Sequence, residues 1–365
     1  MNTHLHTTYS FSPYTPTEAL YMAGKIGLKT AGIMDHDSSG GAREFIEAGK
    51  IIGMPVTCGV ECRVNMSHTR LAGKRINNPD QKSIAYVAMH GIPHQNIERV
   101  NAFFAPYREE RNERNRKMCA NITAMMQPFG IDLDFDRDVL PISQYAAGGS
   151  VTERHILFAL THKITARYPT PAQVLDFLCG EMKLDIPQKV RDQIAAGADT
   201  PQFYEYDILG ALKSNMVEKF YVDADEECPL VEDFISMVHE NGGIAAYAYL
   251  GDVGDSVTGD KKAQKFEDDY LDLLIDVLRE YHFDAITYMP TRNTPAQLDR
   301  LMTLCRENGF FEISGEDINS PRQSFICRAL DDPRFSHLID ATYTLIHYEE
   351  DAASDLPAAR ITYAQ

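Results

Sequence analysis

Thr3-His4-Leu5-His6-Thr7 stands almost at the start of the chain. Read as a strand, it sends His4 and His6 to one face and Leu5 to the other, because successive side chains alternate. Two imidazoles one pleat apart can share a divalent metal through neutral ring nitrogens. Alone, the pair also reads as two surface histidines near a terminus. The choice rests on the rest of the chain, where acids and histidines recur at the ends of apolar, strand-like runs.

Moving outward, Thr15 is placed to cap a helix, with Pro16 in the first helical position and Glu18 completing a capping box. That helix runs to Gly27. Lys29 to Met34 is a short apolar strand ending at Asp35-His36-Asp37. Gly40-Gly41 lead into a helix through Ile52, and Pro55 to Val60 is a third strand closing on Glu61. This alternation predicts a parallel sheet with right-handed crossovers. Asn65 to Lys82 reads as a loop, and Ser83 to Met89 as a fourth strand ending at His90.

From Asn101 to about Cys228 the chain reads as helices and loops. The basic run Arg108, Arg111, Arg114, Arg116 and Lys117 is interleaved with Glu109, Glu110 and Glu113. A solvated helix face is expected there; the alternative is that one or two arginines reach a substrate anion. Leu230 to Glu240 is a helix, Gly243 to Leu250 a fifth strand, Lys261 to Tyr281 a helix, and Asp284 to Met289 a sixth strand. Thr294 to Asn308 is a helix, and Phe310 to Ile313 a seventh strand ending at Ser314-Gly315-Glu316-Asp317. The tail after Asp332 has no assigned element. The expected organisation is an α/β chain with a distorted, TIM-like (β/α)7 barrel from residues 1–100 and 229–365. Residues 101–228 would form a helical cap inserted between strands four and five.

The chain of 365 residues is long enough for that plan, with 44% hydrophobic residues to fill a core. Its net charge of −18, from 35 basic and 53 acidic residues, disfavours a nucleic-acid duplex or an anionic membrane as partner. A small phosphorylated substrate stays open, since a metal adds local positive charge. Seven scattered cysteines without a C-x-x-C pair suggest reduced thiols and a cytoplasmic protein. No signal peptide is expected at the N-terminus. Oligomeric state is not readable.

His4, His6, Asp35, His36, Glu61, His90 and Asp317 thus fall at strand ends, where parallel barrels gather reactive groups. Mixed imidazole and carboxylate donors suit Zn, Mn or Fe better than Ca or Mg. A bridging carboxylate such as Glu61 could serve two ions, which together clamp a phosphate ester and activate water.

In order, His4-Leu5-His6-Thr7, Asp35-His36, Gly59-Val60-Glu61, His90 and Gly315-Glu316-Asp317 resemble the motifs of the PHP superfamily, the polymerase and histidinol phosphatase proteins. The resemblance covers roughly residues 1 to 100 and 230 to 330 and is to the small metal-dependent phosphoesterase branch. It implies a distorted barrel of seven β/α units with two or three ions at its mouth. It further implies that His4, His6, Glu61 and Asp317 hold a first metal, Glu61 and His90 a second, and His36 a third. Val151-Thr152-Glu153-Arg154-His155-Ile156 looks like a motif whose histidine faces the active site, which makes His155 a candidate ligand, phosphate contact or acid; its other reading is a polar residue capping a core helix.

Three positions depart from that family. Phe11 stands where an acid is usual, Tyr247-Ala248 where a strand-five histidine is usual, and Asn319 where a late histidine is usual. The expected content is therefore one to three divalent ions. Asn319 can offer a carbonyl oxygen or hydrogen-bond a phosphate. Arg322 is placed to meet a phosphate bidentately. The expected function is hydrolysis of a small phosphorylated molecule, a nucleotide or sugar phosphate, with His36 or His155 protonating the leaving oxygen. The alternatives are a barrel that binds a phosphorylated ligand with little or no hydrolysis, and an exonuclease acting on oligonucleotides, which the acidic balance disfavours.

Overall fold

Seven strands form one sheet in chain order: β1 (Asn2–Leu5), β2 (Ala31–His36), β3 (Val56–Asn65), β4 (Ile84–His90), β5 (Ile244–Ala248), β6 (Ala285–Tyr288) and β7 (Phe311–Ser314). The structure is a computed structural model and describes residues 1–252 and 264–354. The sheet is mixed, which corrects the all-parallel expectation: β4 runs antiparallel to both β3 and β5. The physical reason is the β3–β4 connection. It returns the chain without a helix, sealed by Met66 N donating to Ser83 O at 2.8 Å, and a hairpin-like return gives an antiparallel neighbour.

The sheet curls until its two edges meet. Leu5 bridges Ile318, with His6 N donating to Ile318 O at 3.0 Å and Ile318 N to His4 O at 3.2 Å, yet among the described residues no ladder joins β1 to β7, so the barrel is not closed by a continuous sheet. Gly315 permits the approach: a Cβ there would lie 2.6 Å from His4 Cβ and 2.7 Å from His4 N. Any side chain would push the seam apart.

Helices α1 (Pro16–Lys25), α2 (Ala42–Ile52), α9 (Val231–Glu240), α10 (Leu271–Glu280) and α11 (Pro295–Asn308) connect and cover the strands. The capping box at Thr15 and Glu18 forms as expected, and α1 buries Ala19, Leu20 and Ala23. The expected helix from Lys261 starts instead with a short turn before α10; residues 261–263 lie outside the described residues. Between β4 and β5 come α3 (Ile97–Phe103), α4 (Ala105–Met126), α5 (Glu153–Arg167), α6 (Pro171–Leu175), α7 (Gln188–Ala195) and α8 (Pro201–Phe220). Their apolar side chains form a separate cluster that includes Phe11 from the loop after β1.

The tail left unassigned from the sequence holds α12 (Ser336–Ser354). Its Leu345 packs on Ile244, Ala246, Ala285 and Ile313, closing the end of the sheet opposite the loops after β1, β2 and β7. Glu349 fastens it there, accepting from Cys58 N at 3.0 Å and from the Thr57 hydroxyl.

Candidate metal centre

β1 sends Leu5 outward into the main apolar cluster and the two histidines inward, as the alternation requires. The rings of His4 and His6 stand 5.1 Å apart, edge to face, and both are buried. β2 and β3 pair His36 with Glu61, which puts both on the same inward rung. Glu61 lies in the middle of β3 rather than at its end. Its Oε2 is 3.8 Å from His4 Nε2, 4.0 Å from His6 Nε2 and 3.1 Å from His36 Nδ1. From the loop after β7, Asp317 Oδ1 comes within 3.2 Å of His6 Nε2.

Residues spread over three hundred positions thus converge. Two donor groups result, His4 with His6 and Asp317, and His6 with His36 and Glu61, each with its ligand atoms within 4.8 Å of one another. Nε2 of His4 and Nε2 of His6 are buried without a hydrogen-bond partner. Buried polar atoms are rarely left so, and two imidazole nitrogens facing two carboxylates fit a divalent transition metal well.

The tautomer of His6 follows from its neighbours. Asp35 accepts from Thr7 N at 2.7 Å, Thr7 Oγ1 at 2.6 Å and Ser10 Oγ at 2.6 Å. Ser10 gives its only proton to that carboxylate, so its oxygen accepts from His6 Nδ1, 3.2 Å away. The Nε2 of His6 therefore carries a lone pair and no proton. Asp35 is an anchor beneath the donors rather than one of them. Sequence reasoning did not assign this role to Asp35 or any role to Ser10. The Thr/Ser spacing after His6 was a signal, but a hydroxyl relay has no motif of its own.

Burial disfavours charge on every group here, and the partners decide the outcome. Burial pushes the Glu61 carboxyl up, but His4 and His36 outweigh it and hold its pKa below the ordinary range. Asp317 keeps part of its side chain exposed, and contact with His6 holds its pKa below the ordinary range. Burial lowers His4, yet Glu61 and Asp317 bring it above its usual value; for His6, burial and the His36 ring leave it lowered. Asn319 Nδ2 donates to Asp317 Oδ1 at 2.8 Å, which turns the carboxylate toward His6.

Other expected site residues stand elsewhere. The reversed direction of β4 carries His90 away from the mouth: Glu61 pairs with Ala88, and His90 pairs with Ile244 at the start of β5. His90 lies a rung deeper, fully buried, Nε2 without a partner, its pKa lowered to about 3 by burial. It lies outside the two donor groups but close enough to His4 and Glu61 for both to act on its pKa. His155 caps α5, its Nδ1 accepting from Thr152 N at 3.0 Å, with burial lowering its pKa to about 3. Its ring lies 5.0 Å from that of Phe11, edge to face. Arg322 spends its fork on Asp207 of α8, at 2.5 and 2.7 Å, and stacks over Phe203.

The basic run on α4 is not a solvated face, and this corrects that expectation. Arg108, Arg111 and Arg114 are buried. Arg111 meets Asp37 at 2.7 Å, and Arg114 meets Glu153 and Glu227. Arg63, two residues beyond Glu61 on the same strand face, joins Glu227 and pairs across with Tyr86. Arg116, half-exposed between Glu113 and Asp136, and the exposed Lys117 do behave as expected. Arg154, half-buried and close enough to Asp317 to lower its pKa, has no ion-pair partner among the described residues.

No family model and no curated protein matches this sequence. Two solved structures share its fold. One, from Bifidobacterium adolescentis and assigned as a metal-dependent phosphoesterase, aligns at TM-score 0.58 with 21% identity over 90% of each chain. The other, an amidohydrolase from Chromobacterium violaceum with bound sulfate and no metal, aligns at TM-score 0.54 with 17% identity, over 93% of this chain and 96% of its own. Among the described residues no helix is long and apolar enough to cross a membrane.

Proposed function

We propose that this chain is a metal-dependent hydrolase of a small phosphate ester. The observation that carries the reading is the convergence of His4, His6, Glu61 and Asp317, with two buried imidazole nitrogens aimed at two carboxylates and bonded to nothing. A Zn, Mn or Fe ion held there supplies Lewis-acid chemistry, polarising a phosphoryl oxygen and acidifying water. The fold shared with a chain assigned as a phosphoesterase and with an amidohydrolase supports hydrolysis in general. The phosphate preference rests on the motif resemblance and on Arg154 beside the donors.

In this reading the chain's own groups divide the work. Arg154 balances phosphoryl charge, and Asn319 keeps Asp317 turned inward. His36 is partly exposed and 3.1 Å from Glu61, so it can pass a proton to the leaving oxygen. His155, neutral and committed to the cap of α5, is the weaker candidate for that role. The test is a panel of nucleotide and sugar phosphates with added Mn. Turnover that vanishes in His4→Ala is expected; a folded, metallated protein that hydrolyses none of them rejects it. That second outcome would favour a barrel that binds a phosphorylated ligand without cleaving it.

A further inference from the structure

We infer that Tyr86 is a specificity-determining residue, whose hydroxyl, with Glu153 beside it, receives a hydroxyl of the leaving group. The substrate is then the ester of a sugar or polyol and carries a single phosphate. The inference rests on the phosphate-ester reading and goes beyond it in naming what stands on the far side of the scissile bond.

Register places Tyr86 at the mouth. Glu61 and Arg63 share the inward face of β3, because alternate residues of a strand point the same way. Across the ladder Ala88 faces Glu61 and Tyr86 faces Arg63. The ring of Tyr86 lies 6.1 Å from that of His36. His36 is the group able to protonate the leaving oxygen, so Tyr86 stands on the leaving group's side of the donors.

The hydroxyl is uncommitted. The backbone of Tyr86 is tied to Asn77 at both its N–H and its C=O, but among the described residues its Oη makes no hydrogen bond. Its neighbour Tyr221, by contrast, accepts from Arg63 Nη1 at 3.2 Å. Burial raises the Tyr86 pKa against the pull of Arg63, so the phenol stays neutral and can donate or accept. Glu153, the first residue of α5, is close enough to act on that phenol and is partly exposed. Arg114 and Arg63 hold its carboxyl ionised against burial. Its Oε1 takes Arg114, and its Oε2 makes no hydrogen bond among the described residues. A group that donates or accepts, next to an oxygen that only accepts, suits a ligand's own O–H groups.

The charges behind these two groups cancel. Arg63, Arg111 and Arg114 meet Asp37, Glu153 and Glu227. Asp80 brings a further negative charge near Tyr86. Arg154, the cation without an ion-pair partner among the described residues, acts on Asp317 instead. A second phosphate on the Tyr86 side would face Glu153 and Asp80 with no spare arginine from that cluster, whereas an uncharged hydroxylated group meets no such cost.

The test uses propyl phosphate, glycerol 3-phosphate, which adds two hydroxyls to it, and glycerol 1,3-bisphosphate. Phosphate release by the Mn-loaded, full-length protein gives kcat/KM for each, and calorimetry gives Kd for any that is bound but not cleaved. Glycerol 3-phosphate should be favoured over propyl phosphate about tenfold, the effect of one or two added hydrogen bonds, and over the bisphosphate as well. Tyr86→Phe, with its fold checked by circular dichroism, should shrink the first ratio to about two or less. A purely structural Tyr86 would lower all three esters alike and leave the ratio where it was, which would overturn the inference. So would a wild-type ratio near one, or a preference for the bisphosphate. Any of these outcomes with phosphate still released leaves the hydrolase reading standing. The expected ratios in Kd, with no phosphate released, would reject hydrolysis and keep the subsite. Neither binding nor release of any ester would reject both. The wild-type ratios need no variant, and Tyr86→Leu replaces Tyr86→Phe if the latter does not fold.

Discussion

Arg111 Nη1 lies 2.7 Å from Asp37 Oδ2, and both side chains are buried. Asp37 directly follows His36, so this pair ties α4 to the loop that carries a candidate donor. Arg111 also reaches Glu227 at 3.2 Å. Its removal leaves two buried carboxylates short of a partner. Arg111→Ala should cost about 3–5 kcal/mol in denaturant unfolding, the usual cost of breaking a buried pair from one side. A loss below about 1 kcal/mol would show that the pair is not buried as described.

Arg322 and Asp207 make a parallel, two-pronged contact between the loop after β7 and α8. A double-mutant cycle on Arg322→Ala and Asp207→Ala should yield a coupling of about 1 kcal/mol or more, above the range of ordinary surface pairs. Additive effects would mean that Arg322 is free for another partner, a substrate phosphate included.

Asp35 acts on His6 only through Ser10 and Thr7. Asp35→Asn should weaken Mn binding roughly 10- to 100-fold, the usual range for groups that orient a ligand, with the ion count unchanged. Unaltered affinity measured by calorimetry would remove Asp35 from the centre.

Glu267 is fully buried, accepting from Leu250 N at 2.8 Å and Tyr247 Oη at 3.1 Å. Burial pushes its pKa up to about 7. A raised carboxyl keeps its proton in the folded chain after the unfolded chain has lost it. Its stabilising share is therefore whole below pH about 4.5 and fades as pH rises to 7. The total is about 3 kcal/mol, and Glu267→Gln should flatten that stretch of the stability–pH curve. An unchanged slope in the variant would place the titration elsewhere.

Gly315 has backbone and Cβ of His4 where its own side chain would be. Gly315→Ala should cost about 1–3 kcal/mol by overpacking and displace His4 enough to lower metal affinity. A variant as stable and as well metallated as the wild type would show that the seam yields without cost.

The sequence made the ligand rows readable because they are local. His4, Leu5 and His6 alternate, His36 follows an apolar run, and Thr15 with Glu18 writes its own cap. What it hid was direction and distance. The apolar pattern of β4 reads the same either way along the chain, so its reversal, and with it the depth of His90, could not be read from Ser83 to His90 alone. The arginines of α4 look solvated because their nearest acids are Glu109, Glu110 and Glu113, whereas the acids they meet are Asp37, Glu153 and Glu227. Asp207 is likewise 115 positions from Arg322. Charge pairing across such gaps is set by the fold, and no short window contains it.

Phe11 has φ of 121°, a region that costs a non-glycine residue energy, while its ring is packed among the cap's apolar side chains. The cap therefore pulls on the same short loop that positions His6 and Ser10. Loosening the cap would let that loop relax, and the grip on a cation would slacken with it. Saturating metal should then raise the melting point of the inserted helices as much as that of the sheet, so that heat empties the centre and unfolds the cap in one cooperative step.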